Sequence, residues 1–137
     1  MDRQLSGVKR LFQALGDATR LRILGLLLAG EICVCDIHET LRISQPKASR
    51  HLAYLRRSGL VATRRNGLWV YYRLAETSDA ILATIQRAVT HVLGHVEIVR
   101  RDAARLQKKT GCCLPQHADA PTFACCAAVE PRKGARA

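Results

Sequence analysis

No apolar run in this chain approaches the roughly 18 residues a helix needs to span a bilayer. The best candidate, Ile23 to Ile32, is interrupted by Gly25, Gly30 and Glu31. Met1 to Gln13 is an amphipathic mix without the uninterrupted apolar core of a signal peptide. A cytoplasmic protein that inserts in no membrane is expected. Acidic residues are scarce as well: 11 Asp and Glu stand against 22 Lys and Arg, leaving a net charge of +11. A polyanion is the partner such a balance points to. Aromatic residues make up 4%, and Trp69, Tyr71 and Tyr72 are read as sheet and core packing rather than nucleic-acid stacking. No internal repeat is found. Ser49 and His51 stand close together, yet no orienting acid or oxyanion device accompanies them, so no enzyme is expected.

Cysteine is what the chain does have, six in all. A reducing compartment argues against structural disulfides. Their spacing agrees. Cys33 and Cys35 lie two apart, and Cys112-Cys113 and Cys125-Cys126 are adjacent pairs. Neighbouring cysteines are strained as disulfide partners but well set to chelate one soft centre.

Hydrophobic content of 48% over 137 residues is enough for one packed domain. Leu5, Val8, Leu11, Phe12 and Leu15 have helical spacing, and Gly16 ends that helix. Asp17 is placed to cap a second helix carrying Leu21, Ile23, Leu24, Leu27 and Leu28, closed by Gly30. A short helix from about Val34 to Leu41 should follow. Arg42-Ile43 then makes a tight connection to a helix capped by Ser44, with Pro46 in its first turn, where a missing N–H is harmless. Ala48, Leu52 and Leu55 are its buried stripe, and Gly59 is its expected C-cap.

From Leu60 the period becomes alternating. Val61 to Arg64 and Leu68 to Leu74 flank Arg65-Asn66-Gly67, and an Asn-Gly pair between β-rich runs signals a hairpin whose two turn residues need positive φ. A single long helix is then expected from Ser78 or Asp79 to near Lys109, with Pro115, Pro121 and Pro131 in the segment after it. The expected class is mainly α with a small β-hairpin, a dimeric winged helix-turn-helix. Residues 1–110 are expected to form the DNA-binding and dimerisation domain, and 111–137 a flexible tail that carries cysteines. The dimer is expected to be held by the first helix and the last.

Three separated motifs carry a family resemblance over about residues 8–74. Ala14 to Leu24 resembles the second-helix signature of the arsenical-resistance repressor family, ArsR/SmtB. Glu31-Ile32-Cys33-Val34-Cys35-Asp36-Ile37 is similar to its metalloid box, and Ser44 to Leu55 to its recognition helix. The resemblance implies a homodimeric repressor that leaves operator DNA when trivalent arsenic or antimony binds cysteine. Many arsenic-responsive members have a third cysteine where this chain has His38, while trivalent arsenic favours three thiolates. Cys112, Cys113, Cys125 and Cys126 are therefore candidate ligands beside Cys33 and Cys35, within one subunit or across the dimer. A helix start also favours the thiolate form.

On the expected recognition helix and wing, the candidate DNA contacts are Ser44, Gln45, Lys47, Ser49, Arg50, His51, Tyr54, Arg56 and Arg57, with Arg64, Arg65 and Arg73. His91 and His95 have a spacing that binds zinc on one helical face, but without acidic residues in the pattern such a site wants, and a solvent-facing pair is the simpler reading. Three alternatives keep the thiols but change their chemistry: a redox or persulfide-sensing repressor, a sensor of cadmium, lead or zinc, and a cytosolic scavenger of soft metals. A recognition helix and wing argue against the scavenger.

Overall fold

A computed structural model describes residues 2–110. Helix α1 (Arg3–Leu15) starts where Asp2 accepts from the Gln4 N–H, and α2 (Ala18–Leu26) where Asp17 accepts from the Arg20 N–H. A 3-10 turn at Leu27–Ala29 ends at Gly30, whose φ of 126° only glycine adopts without strain. Strand β1 (Ile32–Cys33) leads directly into α3 (Val34–Leu41), then α4 (Gln45–Arg57), β2 (Val61–Asn66), β3 (Trp69–Leu74), α5 (Ala80–Leu93) and α6 (Glu97–Thr110). The architecture is a winged helix-turn-helix, mainly helical, with a three-stranded antiparallel sheet in the order β1-β3-β2.

The two helices of the helix-turn-helix are joined by a sharp bend at Arg42, whose φ of 59° is left-handed. The Arg42 and Ile43 N–H groups donate to Glu39 and His38 carbonyls, closing the end of α3. Ser44 then caps α4 by accepting from the Lys47 N–H at 3.2 Å, and Pro46 sits in the first turn as expected. At the other end the C-cap is Ser58, one position earlier than the expected Gly59, which is the left-handed residue beyond it. The Gly59 and Leu60 N–H groups return to Arg56 and Leu55. Ala48, Leu52 and Leu55 are fully buried, and Leu52 and Leu55 share one core cluster with Leu24, Ile37 and Leu41. Truncating either leucine to alanine removes about 2–5 kcal/mol.

Three local expectations need correction. The hairpin pairs Asn66 with Trp69, so its two turn residues are Gly67 and Leu68. Gly67 takes φ 63° and Leu68 does not have positive φ, a pattern that needs glycine only at the first turn position. Strand β1 was not foreseen, because a two-residue strand is too short to show alternation. The expected single C-terminal helix is two helices. It breaks after Gly94, and α6 turns back to bury Val99, Asp102 and Leu106 against α2 and α3.

Candidate metalloid site and nucleic-acid interface

Cys33 is the last residue of β1 and the N-cap of α3, and Cys35 lies in the first helical turn. This strand-to-helix junction brings their Sγ atoms within 2.8 Å of each other. Cys33 is 1% exposed, while Cys35 is half-buried. The Cys33 thiol also donates to Asp36 Oδ2 at 3.1 Å, and Asp36 is itself buried. The ligating atoms of Cys33, Cys35 and Asp36 all lie within 4.8 Å of one another, the only such trio among the described residues. Two soft sulfurs beside a carboxylate suit a thiophilic ion.

Asp36 was not singled out from the sequence. The signal was available, because Cys33 caps α3 and a side chain three residues on, in the first turn, lies within reach of the cap. His38 does not join them: its Nδ1 faces the Ile43 carbonyl at 3.3 Å. Cys112, Cys113, Cys125 and Cys126 lie outside the described residues. His91 and His95 are exposed, with ring centroids 5.0 Å apart, and belong to no trio of ligating groups among the described residues.

Helix α3 packs on α4, so the thiols sit one helix away from the candidate DNA-reading surface. On α4, Gln45, Lys47, Arg50, Arg56 and Arg57 are exposed, as is the cap Ser44, and Ser49 is half-buried. Two of the nominated residues are engaged inside the protein. The Tyr54 ring carries the Arg20 guanidinium 4.0 Å from its centroid. His51 Nδ1 lies 3.3 Å from Arg20 Nη1 and 3.7 Å from Asp17 Oδ2. Arg20 also donates to the Ala14 and Gln13 carbonyls at 2.7 and 3.0 Å, which welds α1, α2 and α4 together at one point.

Burial pushes the His51 pKa below 6.5, helped by Arg20, Lys47 and Arg50 and opposed by Asp17. The backbone N–H of Arg20 holds the Asp17 carboxyl below its usual value, with smaller help from the charges of His51 and Arg20. A neutral His51 can therefore accept from Arg20 at Nδ1. On the wing, Arg64, Arg65 and Arg73 are all exposed, and Arg64 is also clasped by Glu31 through two hydrogen bonds of 2.7 and 2.9 Å.

No helix among the described residues is long and apolar enough to cross a membrane. Residues 17–63 match the model of the bacterial regulatory protein, arsR family. The chain is similar to the arsenical resistance operon repressor of Escherichia coli, 53% identical over 77 residues that cover 56% of this chain and 66% of that protein. It is 54% identical over 66 residues to an arsenic resistance transcriptional regulator of Pseudomonas putida, covering 47% of this chain and 51% of that one. The matched stretch thus spans between half and two thirds of these two regulators. Its fold is also that of a homodimeric winged helix-turn-helix DNA-binding domain from Mycobacterium bovis, solved by NMR. The TM-score is 0.58 and the identity 35%, over 70% of this chain and 90% of that one. Sequence, fold and helix order agree, and the chain belongs to the arsR family of bacterial transcriptional regulators.

Proposed function

We propose that this chain is a metalloid-responsive transcriptional repressor. It binds operator DNA as a homodimer and lets go when trivalent arsenic or antimony, inorganic or as an organoarsenical, is captured by cysteine thiolates. The observation that carries this reading is the 2.8 Å approach of Cys33 and Cys35 at the start of the helix packed on α4. When bound, the ion supplies strong soft-acid bonds to sulfur. Two thiolates leave one position of a three-coordinate ion to fill. Asp36 stands beside it, and Cys112, Cys113, Cys125 or Cys126 are proposed as the source of a third sulfur. Drawing both sulfurs onto one centre shifts the strand-to-helix junction and, through α3, the seating of α4. A differential affinity of about 3 kcal/mol between free and DNA-bound forms is enough to change occupancy over a hundredfold.

DNA contact is assigned to Ser44, Gln45, Lys47, Ser49 and Arg50 at the start of α4, to Arg56 and Arg57 at its end, and to Arg65 and Arg73 on the wing. His51 and Tyr54 act by holding α4 on α2. The dimer reading is supported by apolar surface that one chain leaves open: Leu5 and Phe12 on α1, Ile81 and Val92 on α5, and Ile98 on α6. Of the 14 residues in α5 only Leu93 is buried, although the helix is largely aliphatic. A two-fold pair sets the recognition helices about one DNA turn, roughly 34 Å, apart.

The test compares Cys33→Ser/Cys35→Ser and Cys112→Ser/Cys113→Ser double variants on a duplex the protein itself selects from a random pool. Both should bind DNA. Arsenite or antimonite should leave the first on DNA entirely and the second in part. Normal release by both variants would rule out sensing through these thiols.

A further inference from the structure

We propose that the Glu31–Arg64 pair couples the thiol site to the wing, so that a captured ion repositions β2 and β3 as well as α4. This rests on the sensing function proposed above and gives Arg64 a positioning role instead of a DNA contact. Strand β1 pairs with β3 so that Cys33 stands opposite Tyr71, and β2 pairs with β3 so that Arg64 stands opposite the same Tyr71. Directly opposed residues share one face of a sheet. Cys33, Tyr71 and Arg64 are thus a single row across the three strands, with the Arg64 guanidinium 4.8 Å from the Tyr71 ring centroid.

Arg64 then closes a loop. Its Nη2 and Nε donate to the two carboxylate oxygens of Glu31, at 2.7 and 2.9 Å, and Glu31 lies two residues before Cys33. A fork of this kind fixes orientation as well as distance, which a single charge contact does not. Tyr71, at 1% exposure, is a rigid centre for the row. The strand side of the sensing junction is therefore tied to the wing at two places, Glu31 to Arg64 and Cys33 to Tyr71. Its helix side is tied to α4 through α3. Any movement of Cys33 toward a shared ion has two outlets, one through α3 and one through the sheet.

The chain carries its own reporter. Trp69 is its sole tryptophan and begins β3, paired with Asn66 at the wing's turn. Reduced full-length protein is titrated with sodium arsenite while three signals are followed: arsenic–thiolate absorbance, Trp69 emission, and release of a selected duplex by anisotropy. In the wild type all three should change together and saturate at the same equivalence. Glu31→Gln keeps every wing cation but breaks the fork. It should retain the absorbance step, lose most of the Trp69 change, and need about fivefold more arsenite for half-release, the top of the range for partly exposed ion pairs. Arg64→Lys, which keeps the charge but cannot hold a fork, should repeat that result if Glu31→Gln proves unstable in urea. A Glu31→Gln variant that responds like wild type would overturn the coupling. So would a wild type that releases DNA with no change at Trp69, although sensing itself would stand. A wild type that neither binds arsenite nor releases DNA would remove both.

Discussion

Arg22 grips Asp102 through two hydrogen bonds, both 2.8 Å long, across 80 positions of sequence. Asp102 is wholly buried, and Arg105 approaches it at 3.4 Å while donating to the Thr40 carbonyl at 2.6 Å. One carboxylate thereby joins α6 to α2 and, through Arg105, to the end of α3. Replacing Asp102 with alanine leaves two guanidinium groups without their acid. A loss of about 3 kcal/mol is expected, the low end for a broken buried pair because Arg22 keeps some access to water. Urea unfolding followed by circular dichroism measures it, and a loss below about 1 kcal/mol would show that the pair does not hold α6 in place.

Gly25 lies where α6 crosses α2. A Cβ built there would overlap one γ-methyl of Val99 and stand 3.2 Å from the other and 3.3 Å from its Cβ. Alanine favours helices over glycine by about 1 kcal/mol, so on propensity alone Gly25→Ala would stabilise α2. The crowding should win, with a net loss of about 1–2 kcal/mol. Adding Val99→Ala should recover part of it, which distinguishes steric overlap from a backbone effect.

The pH dependence of stability should carry a signature of His51. Its folded pKa is pushed below 6.5, chiefly by burial, so the unfolded chain takes up the proton first. The corresponding stability is present in full above the unfolded value and is lost as pH falls through the lower folded value. Unfolding free energies should thus be flat near pH 7.5 and decline below about pH 6.5, the ordinary value for histidine. His51→Gln should flatten that decline. Asp17, whose folded pKa lies below 3.8, contributes stability that is lost only in stronger acid, so the two effects separate along the pH axis.

Arg50 and Lys47 are both exposed on the first half of α4. Arg50→Ala should weaken binding to the selected duplex by about 1–3 kcal/mol and relax sequence preference at one position, as loss of a base contact does. Lys47→Ala should weaken all duplexes similarly and lower the salt slope by about 1. Arsenite binding should be unchanged in both. If Arg50→Ala binds like wild type, the register of α4 on DNA differs from the one proposed.

Much of this molecule could be read from its sequence. Asp17 and Ser44 cap helices because a side-chain oxygen reaches an N–H two or three residues on, and such short-range chemistry is visible in a string of letters. The same holds for the 3.6-residue stripe of Ala48, Leu52 and Leu55, which is buried as its spacing requires. These features are local, and the family resemblance ran through the same stretch.

Tertiary structure decided the rest. Periodicity continues past Gly94, yet the helix breaks there, because burying Val99, Asp102 and Leu106 on α2 and α3 outweighs extending one helix into solvent. Arg64 meets Glu31 and His51 meets Arg20 from 33 and 31 positions away, partners that no local pattern names. Local propensity depends on neighbours within about one turn of helix, and sequence states those neighbours directly. Which distant charge a side chain meets depends on how the elements pack, and only the folded chain resolves that.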